Sequence, residues 1–205
     1  MARTPNEEQK NLKRDFILET AHQLFAQKGF HNVTMKDIVE ACGISRGGLY
    51  LFFSSVDEIF EAVIQKRTIS GFSFIREKVN KKEDFLTILN LYLEGHKKRL
   101  LNMENTIVMA SYEYYSIHQS IQDIQSRLSQ IEYIKNFILD ILHLGVEQGV
   151  ILNVNLEEIA EQYIYLIEGM GVYGMLLNLT EAQIDAQIAL MKNILIFREA
   201  DSVNY

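Results

Sequence analysis

The 205-residue chain reads as an all-α protein: a three-helix, helix-turn-helix head at the N-terminus, then a helical bundle body, about nine helices in total. Three observations predict this. The only proline is Pro5, so nothing beyond it removes a backbone donor from a helix interior. From Ile17 onwards, apolar residues recur at spacings of three and four, the period of a helix with one buried face. Capping residues and glycines punctuate these runs. Composition agrees with a globular chain long enough for a real core: 48% of residues are hydrophobic and 23% charged.

Ile17, Ala21, Leu24 and Phe25 form one stripe on a first helix from about Lys10 to Lys28, which Gly29 ends. Thr34 is placed to cap a second helix, with Asp37 at the third position as an acidic capping box. Gly43 closes that helix after about eight residues. Ser45 opens a third helix running to about Phe52. Two helices joined by a short glycine-containing turn are the helix-turn-helix pattern, whose second helix offers its first residues to base edges in a major groove. Here those residues are Ser45, Arg46, Gly47 and Gly48. Arginine pairs bidentately with guanine, so Arg46 is the candidate for base reading, with a phosphate contact as its alternative. Two adjacent glycines weaken a helix by about 1 kcal/mol each relative to alanine, so something must approach the backbone closely, either DNA or a packed helix. Thr34 and Lys36 sit at a helix N-terminus, where free amides and the helix dipole attract phosphate.

Charge is distributed unevenly. The net charge is −7, which taken whole argues against a nucleic-acid partner. Residues 1–53, however, hold seven Lys/Arg and six Asp/Glu, so the acidity belongs to the rest. Arg3, Lys10, Lys13 and Arg14 form a basic N-terminal segment able to reach a flanking groove, unless it is merely a tail.

The run GFHNVTMKDIVEACGISRGGLYLFFSSVDEIF, residues 29–60, resembles the signature of the TetR family of transcriptional regulators. The matching features are Gly29-Phe30, Thr34, Ile38, the turn from Ala41 to Ile44, Ser45, Gly48-Leu49-Tyr50, Phe53 and the acidic-apolar start of a fourth helix. The resemblance covers about 50 residues; the remainder agrees only in length and helical character. It implies a homodimer on a double-stranded, pseudo-palindromic operator, probed by residues 1–54. It also implies an effector-binding and dimerisation body, residues 55–205, that releases the operator when a small molecule binds. By the same resemblance Tyr50 meets a phosphate and Phe52 lies at the sugar-phosphate edge. The family usually carries a phosphate-binding Lys where this chain has Val56, which removes one such contact.

In the body, Ser55 and Glu58 form a capping box for the fourth helix, in which Gly71 permits a bend. A fifth helix carries Leu86, Leu89, Leu93, His96 and Leu100, and a sixth runs from about Glu104 to Ser116. A long seventh helix from Ile121 is apolar on two faces and ends near Gly149. Asn155 with Glu158 caps the eighth, and Thr180 with Gln183 the ninth. The family pairs its last two helices with those of a second subunit, which implies a dimer interface at Met170, Tyr173, Gly174, Leu177, Ile184, Ile188, Met191 and Leu195, unless these stripes serve only the chain's own core. The effector cavity expected within the body gives Met109, Tyr112, Glu113, Phe137, Tyr163 and Glu168 as candidate lining residues. Aromatics and methionines suit apolar or cationic aromatic ligands, and either glutamate could balance a cation.

Catalytic patterns are absent: no HExxH, no G-x-S-x-G, no phosphate-cradling glycine loop and no Cys/His ligand spacing. The five histidines are dispersed. The one cysteine, Cys42, excludes an internal disulfide and reads as a small buried hydrophobe. Neither a cofactor nor a metal is expected. MARTPNEEQK lacks the apolar centre of a signal peptide, so a cytoplasmic protein is expected. The alternative is a helical ligand-binding or enzymatic protein that does not use its head on DNA; the acidic net charge and Val56 favour it.

Overall fold

A computed structural model describes residues 5–103 and 106–198. Among these residues there are nine helices and no strand: α1 (Pro5–Lys28), α2 (Met35–Cys42), α3 (Arg46–Tyr50), α4 (Val56–Asn80), α5 (Phe85–Leu101), α6 (Val108–Ile117), α7 (Ile121–Glu147), α8 (Leu156–Leu177) and α9 (Glu181–Asn193). The all-α architecture is as the sequence predicts. Some ends differ. α1 begins at Pro5 rather than about Lys10, because proline fits a first turn and Glu7 and Glu8 complement the helix dipole there. α3 stops at Tyr50, and α4 runs through Gly71 unbroken. Glu104, expected to open the sixth helix, lies outside the described residues.

Local capping chemistry explains most starts. The boxes at Thr34/Asp37 and Thr180/Gln183 are both closed. Ser55 Oγ accepts from the Glu58 amide at 3.1 Å, but the Glu58 carboxylate reaches one residue further back, to the amide and hydroxyl of Ser54 at 2.7 and 2.8 Å. Asn155 does not cap α8 with its side chain. Its φ is +53°, whereas a capping side chain needs the extended backbone that Thr34, Ser45 and Thr180 adopt.

The described chain forms two compact units. The first runs to Ile69 and takes in the segment ending at Ile124, which holds α6; the second comprises Ser70–Met103 and the chain from Gln125 onwards. The first unit's core joins Ile17, Phe25, Phe30, Ile38, Leu49 and Phe53 of the head to Ile59, Phe60 and Val63 of α4 and to Ala110 and Tyr114 of α6. Phe30 is its hub, with Phe60 and Tyr114 ring centroids each 5.0 Å away. The packing boundary therefore falls elsewhere than the functional boundary expected after residue 54.

In the second unit α5 packs on α8 and α9. Tyr163 is fully buried and donates its hydroxyl to the Met191 carbonyl at 2.6 Å. Lys97 joins α5 to Glu181 and Asp185 of α9 at 2.8 and 2.5 Å. Lys135 joins α7 to Glu157 and Glu161 of α8 at 2.7 and 2.9 Å.

Candidate nucleic-acid interface

α3 is only five residues long, so its orientation depends on what anchors it. Leu49 within it and Phe53 just after it are 0% and 1% exposed, and both belong to the head's core. With that side fixed inward, Arg46, Gly47 and Tyr50 are left on the outside. Leu51, beside them, is 78% exposed. The Arg46 guanidinium lies over the Tyr50 ring, 5.5 Å from its centroid, an arrangement that holds a cation and a hydroxyl together at the surface. Ser45 Oγ accepts from the Gly48 amide at 3.1 Å, fixing the first turn.

The paired glycines differ. A Cβ on Gly47 would meet nothing within 4 Å, so no contact inside this unit requires glycine there. A Cβ on Gly48 would stand 3.1 Å from the capping Ser45 Oγ and 4.0 Å from Lys13 Nζ. Lys13 Nζ also sits 5.9 Å from the Phe52 ring, and Arg14 lies over Phe53 at 5.0 Å. Both basic residues are thus parts of α1 held against the helix-turn-helix, not a tail. Arg3 lies outside the described residues.

At the start of α2, Thr34 Oγ accepts from the Asp37 amide at 3.2 Å and its hydroxyl donates to the Asp37 carboxylate. That carboxylate also takes the Thr34 amide at 2.9 Å and Lys28 Nζ at 2.7 Å. Thr34 is therefore a cap, and Lys36 is the outward cation of this turn, its side chain 83% exposed. The bond from Lys28, then those from Thr34, hold the Asp37 carboxyl well below its ordinary value. A depressed carboxyl stabilises the fold above its unfolded pKa, near 3.8, and that contribution is lost as pH falls further. Asp37→Asn is thus expected to lower the melting temperature at pH 7, with the gap to the parent closing as pH drops below about 4; thermal melts across pH measure this.

Of the residues expected around an effector, the structure places two groups in different units. Met109, Tyr112 and Glu113 are on α6 in the first unit; Phe137, Tyr163 and Glu168 are in the second. Glu113 has another engagement: its Oε2 accepts from the amides of Phe30 and His31 at 2.6 and 3.1 Å, tying α6 to the corner after α1. Phe137 is fully buried, the Tyr163 hydroxyl is taken by Met191, and Glu168 is exposed.

The residues expected at a subunit interface also divide. Ile184, Ile188, Met191 and Leu195 lie in the chain's own core, as does Met170, because the α9 stripe faces α5 and α8. Tyr173 and Leu177 are open, at 59% and 67% exposed, and Gly174 is buried beside Met103. The large apolar residues exposed on α8 are Tyr165, Tyr173, Leu176 and Leu177, with Leu190 exposed on α9 and Ile194 just after it.

Comparison with known proteins addresses the head directly. Residues 17–63 match the family described as bacterial regulatory proteins, tetR family. Residues 17–63 thus carry the tetR-family pattern. Among similar proteins, YfiR of Bacillus subtilis (strain 168), an uncharacterized HTH-type transcriptional regulator, is 35% identical over 107 residues, 52% of this chain. The chain spans about half of YfiR, also 52%. UidR of Escherichia coli (strain K12), an HTH-type transcriptional regulator, is 26% identical over 166 residues, 73% of this chain and 85% of UidR. A TetR transcription regulator from Haloarcula marismortui shares the fold, with a TM-score of 0.76 over 92% of this chain and 100% of that one at 15% identity.

Within the TetR-type head, Val56 has a local explanation. It stands where the family resemblance leads one to expect lysine, and it packs, partly buried, against the head's core. Lys13 is a cation that the sequence did not connect with the segment after α3, because its approach to the Phe52 ring spans 39 residues and no local pattern announces it. Cys42 is buried, which pushes its thiol above the ordinary value. Among the described residues no cluster of three His, Cys, Asp or Glu could hold a metal ion, and no helix is long and apolar enough to cross a membrane.

Proposed function

We propose that this chain is a cytoplasmic, homodimeric transcriptional repressor, not an enzyme, that grips a pseudo-palindromic operator with two TetR-type heads and releases it when a small molecule binds the body. The observation that carries this is the outward face of α3: Arg46, Gly47 and Tyr50 free at the surface, with Leu49 and Phe53 locked inside. Arg46 reads a base edge, Tyr50, Lys13 and Lys36 hold phosphates, and Ser45 and Thr34 cap the two helices that present them. Gly48 keeps the Ser45 cap intact, and Phe52 lies along the sugar-phosphate edge.

Reading half-sites one helical turn apart requires two heads about 34–36 Å apart, hence a dimer. The interface proposed is the exposed face of α8 and α9, through Tyr173, Leu176, Leu177 and Leu190. Its support is the set of large apolar side chains left exposed on α8 and α9. The effector acts by favouring a head spacing that no longer fits the operator.

Fluorescence anisotropy with the DNA upstream of the chain's own gene tests the reading. The parent is expected to bind, and Arg46→Ala to lose about tenfold or more in affinity while keeping its fold and dimer state. Leu176→Glu is expected to run as a monomer on size exclusion and to lose operator binding with its head intact. A parent that binds no promoter fragment would overturn the proposal.

A further inference from the structure

Three side-chain polar atoms of the second unit are buried without a hydrogen-bond partner among the described residues: Arg76 Nε on α4, and Tyr92 Oη and His96 Nδ1 on α5. They belong to one aromatic cluster. Tyr92 is 2% exposed, and its ring lies 4.6 Å from that of His96, nearly perpendicular to it. The Tyr92 ring is 6.4 Å from Phe72 and 6.1 Å from Phe137, which stack on each other at 4.4 Å. The Arg76 guanidinium lies over Phe137 at 5.1 Å and over Tyr133 at 5.2 Å.

Native interiors pair the great majority of their buried polar groups, so three orphans around one set of rings call for a common partner. Their chemistry defines it. Arg76 Nε–H can only donate, the Tyr92 hydroxyl donates readily, and a neutral histidine Nδ1 donates in one of its tautomers. Burial, and then the charge of Arg99, pushes the His96 pKa down to about 3, so the ring is neutral at physiological pH. Of the two glutamates considered for a cation, Glu113 is bonded to Phe30 and His31, while the charge of the exposed Glu168 is felt at Tyr92 more weakly than that of the cationic Arg99. Asp140 is 3.7 Å from the other end of the Arg76 guanidinium, at Nη1, which leaves Nε free.

We propose that the effector is an apolar carboxylic acid whose carboxylate accepts from Tyr92 Oη, Arg76 Nε and His96 Nδ1, with its hydrocarbon part against Phe72 and Phe137. This rests on the effector-controlled reading above and names the chemistry of its ligand. A carboxylate has enough lone pairs for three donors, and charge-assisted bonds are the strong ones. An ammonium brings more donors to a site already made of donors.

Calorimetric titration of the full-length protein decides it, with octanoate and 4-phenylbutyrate as probes and octylamine and 4-phenylbutylamine as their cationic counterparts. The acids are expected to bind and to weaken the operator complex, and the amines to do neither. Tyr92→Phe is expected to weaken acid binding about tenfold while leaving the melting temperature of the free protein unchanged or higher, since the hydroxyl it removes has no partner there. Amines binding as well as acids, neither series binding, acid binding indifferent to Tyr92→Phe, or a lowered melting temperature in that variant would each overturn the proposal. Operator release by an amine would leave the repressor reading intact and sink only the acid. A protein that binds acids but no operator would do the reverse.

Discussion

Gly29→Ala is expected to destabilise the head by about 3 kcal/mol. Two causes add. Gly29 ends α1 at φ +76°, a left-handed conformation that disfavours a side chain by roughly 1–2 kcal/mol. Its Cβ would also stand 2.7 Å from both carboxylate oxygens of Glu113, displacing the group that receives the Phe30 and His31 amides. Hydrogen bonds to a charged group contribute about 1.5–3 kcal/mol, so losing their geometry is felt. Glu113→Ala removes the acceptor without the backbone strain and should lose about 2 kcal/mol; Glu113→Gln keeps an acceptor oxygen and should lose about half of that. Chemical denaturation of the three variants measures the order. Equal stability of Glu113→Ala and the parent would mean that α6 is not held to this corner by its carboxylate.

Gly47→Ala is expected to change stability and operator binding in opposite directions. The position is exposed in a helix, and a Cβ there has nothing within 4 Å, so alanine should stabilise the free protein by about 0.4–1 kcal/mol through reduced chain entropy and better helix propensity. If α3 lies in a major groove, the same methyl group faces the DNA backbone and should weaken operator affinity about tenfold, which is about 1.4 kcal/mol. Thermal melting and anisotropy on one preparation give both signs. A stabilised variant with unchanged affinity would mean that nothing approaches Gly47. Gly48→Ala is a less clean change, because its methyl would press on the Ser45 cap at 3.1 Å.

Local chemistry was legible in the chain, and distant pairing was not. The boxes at Thr34/Asp37 and Thr180/Gln183 follow from spacing alone, since partner and donor are three residues apart. The glycine stops and the helical stripes follow likewise. Asn155 fails as a cap because its backbone is left-handed, a conformation that Asn tolerates and that the capping pattern does not reveal. Periodicity identifies an apolar face but not what covers it. Ile184, Ile188, Met191 and Leu195 turned inward to the chain's own core, while Tyr173 and Leu177 stayed open on the neighbouring helix. Glu113 suggested a ligand contact only because its partners, the amides of Phe30 and His31, lie 83 and 82 residues away. In the head, Arg46 and Tyr50 stand at the surface because Leu49, within the same short helix, is turned into the core. Arg76, Tyr92 and His96 carry no sequence signal as a group; only folding shows that their polar atoms are buried without partners.

The most direct test of the central claim, that α3 reads sequence on duplex DNA, is the ratio of affinities for the upstream operator fragment and for a scrambled duplex of the same length, measured by anisotropy at two salt concentrations. The account predicts a ratio of about 10³ or more, with both affinities falling as salt rises because phosphate contacts release counterions. Equal affinity for the two duplexes would contradict it.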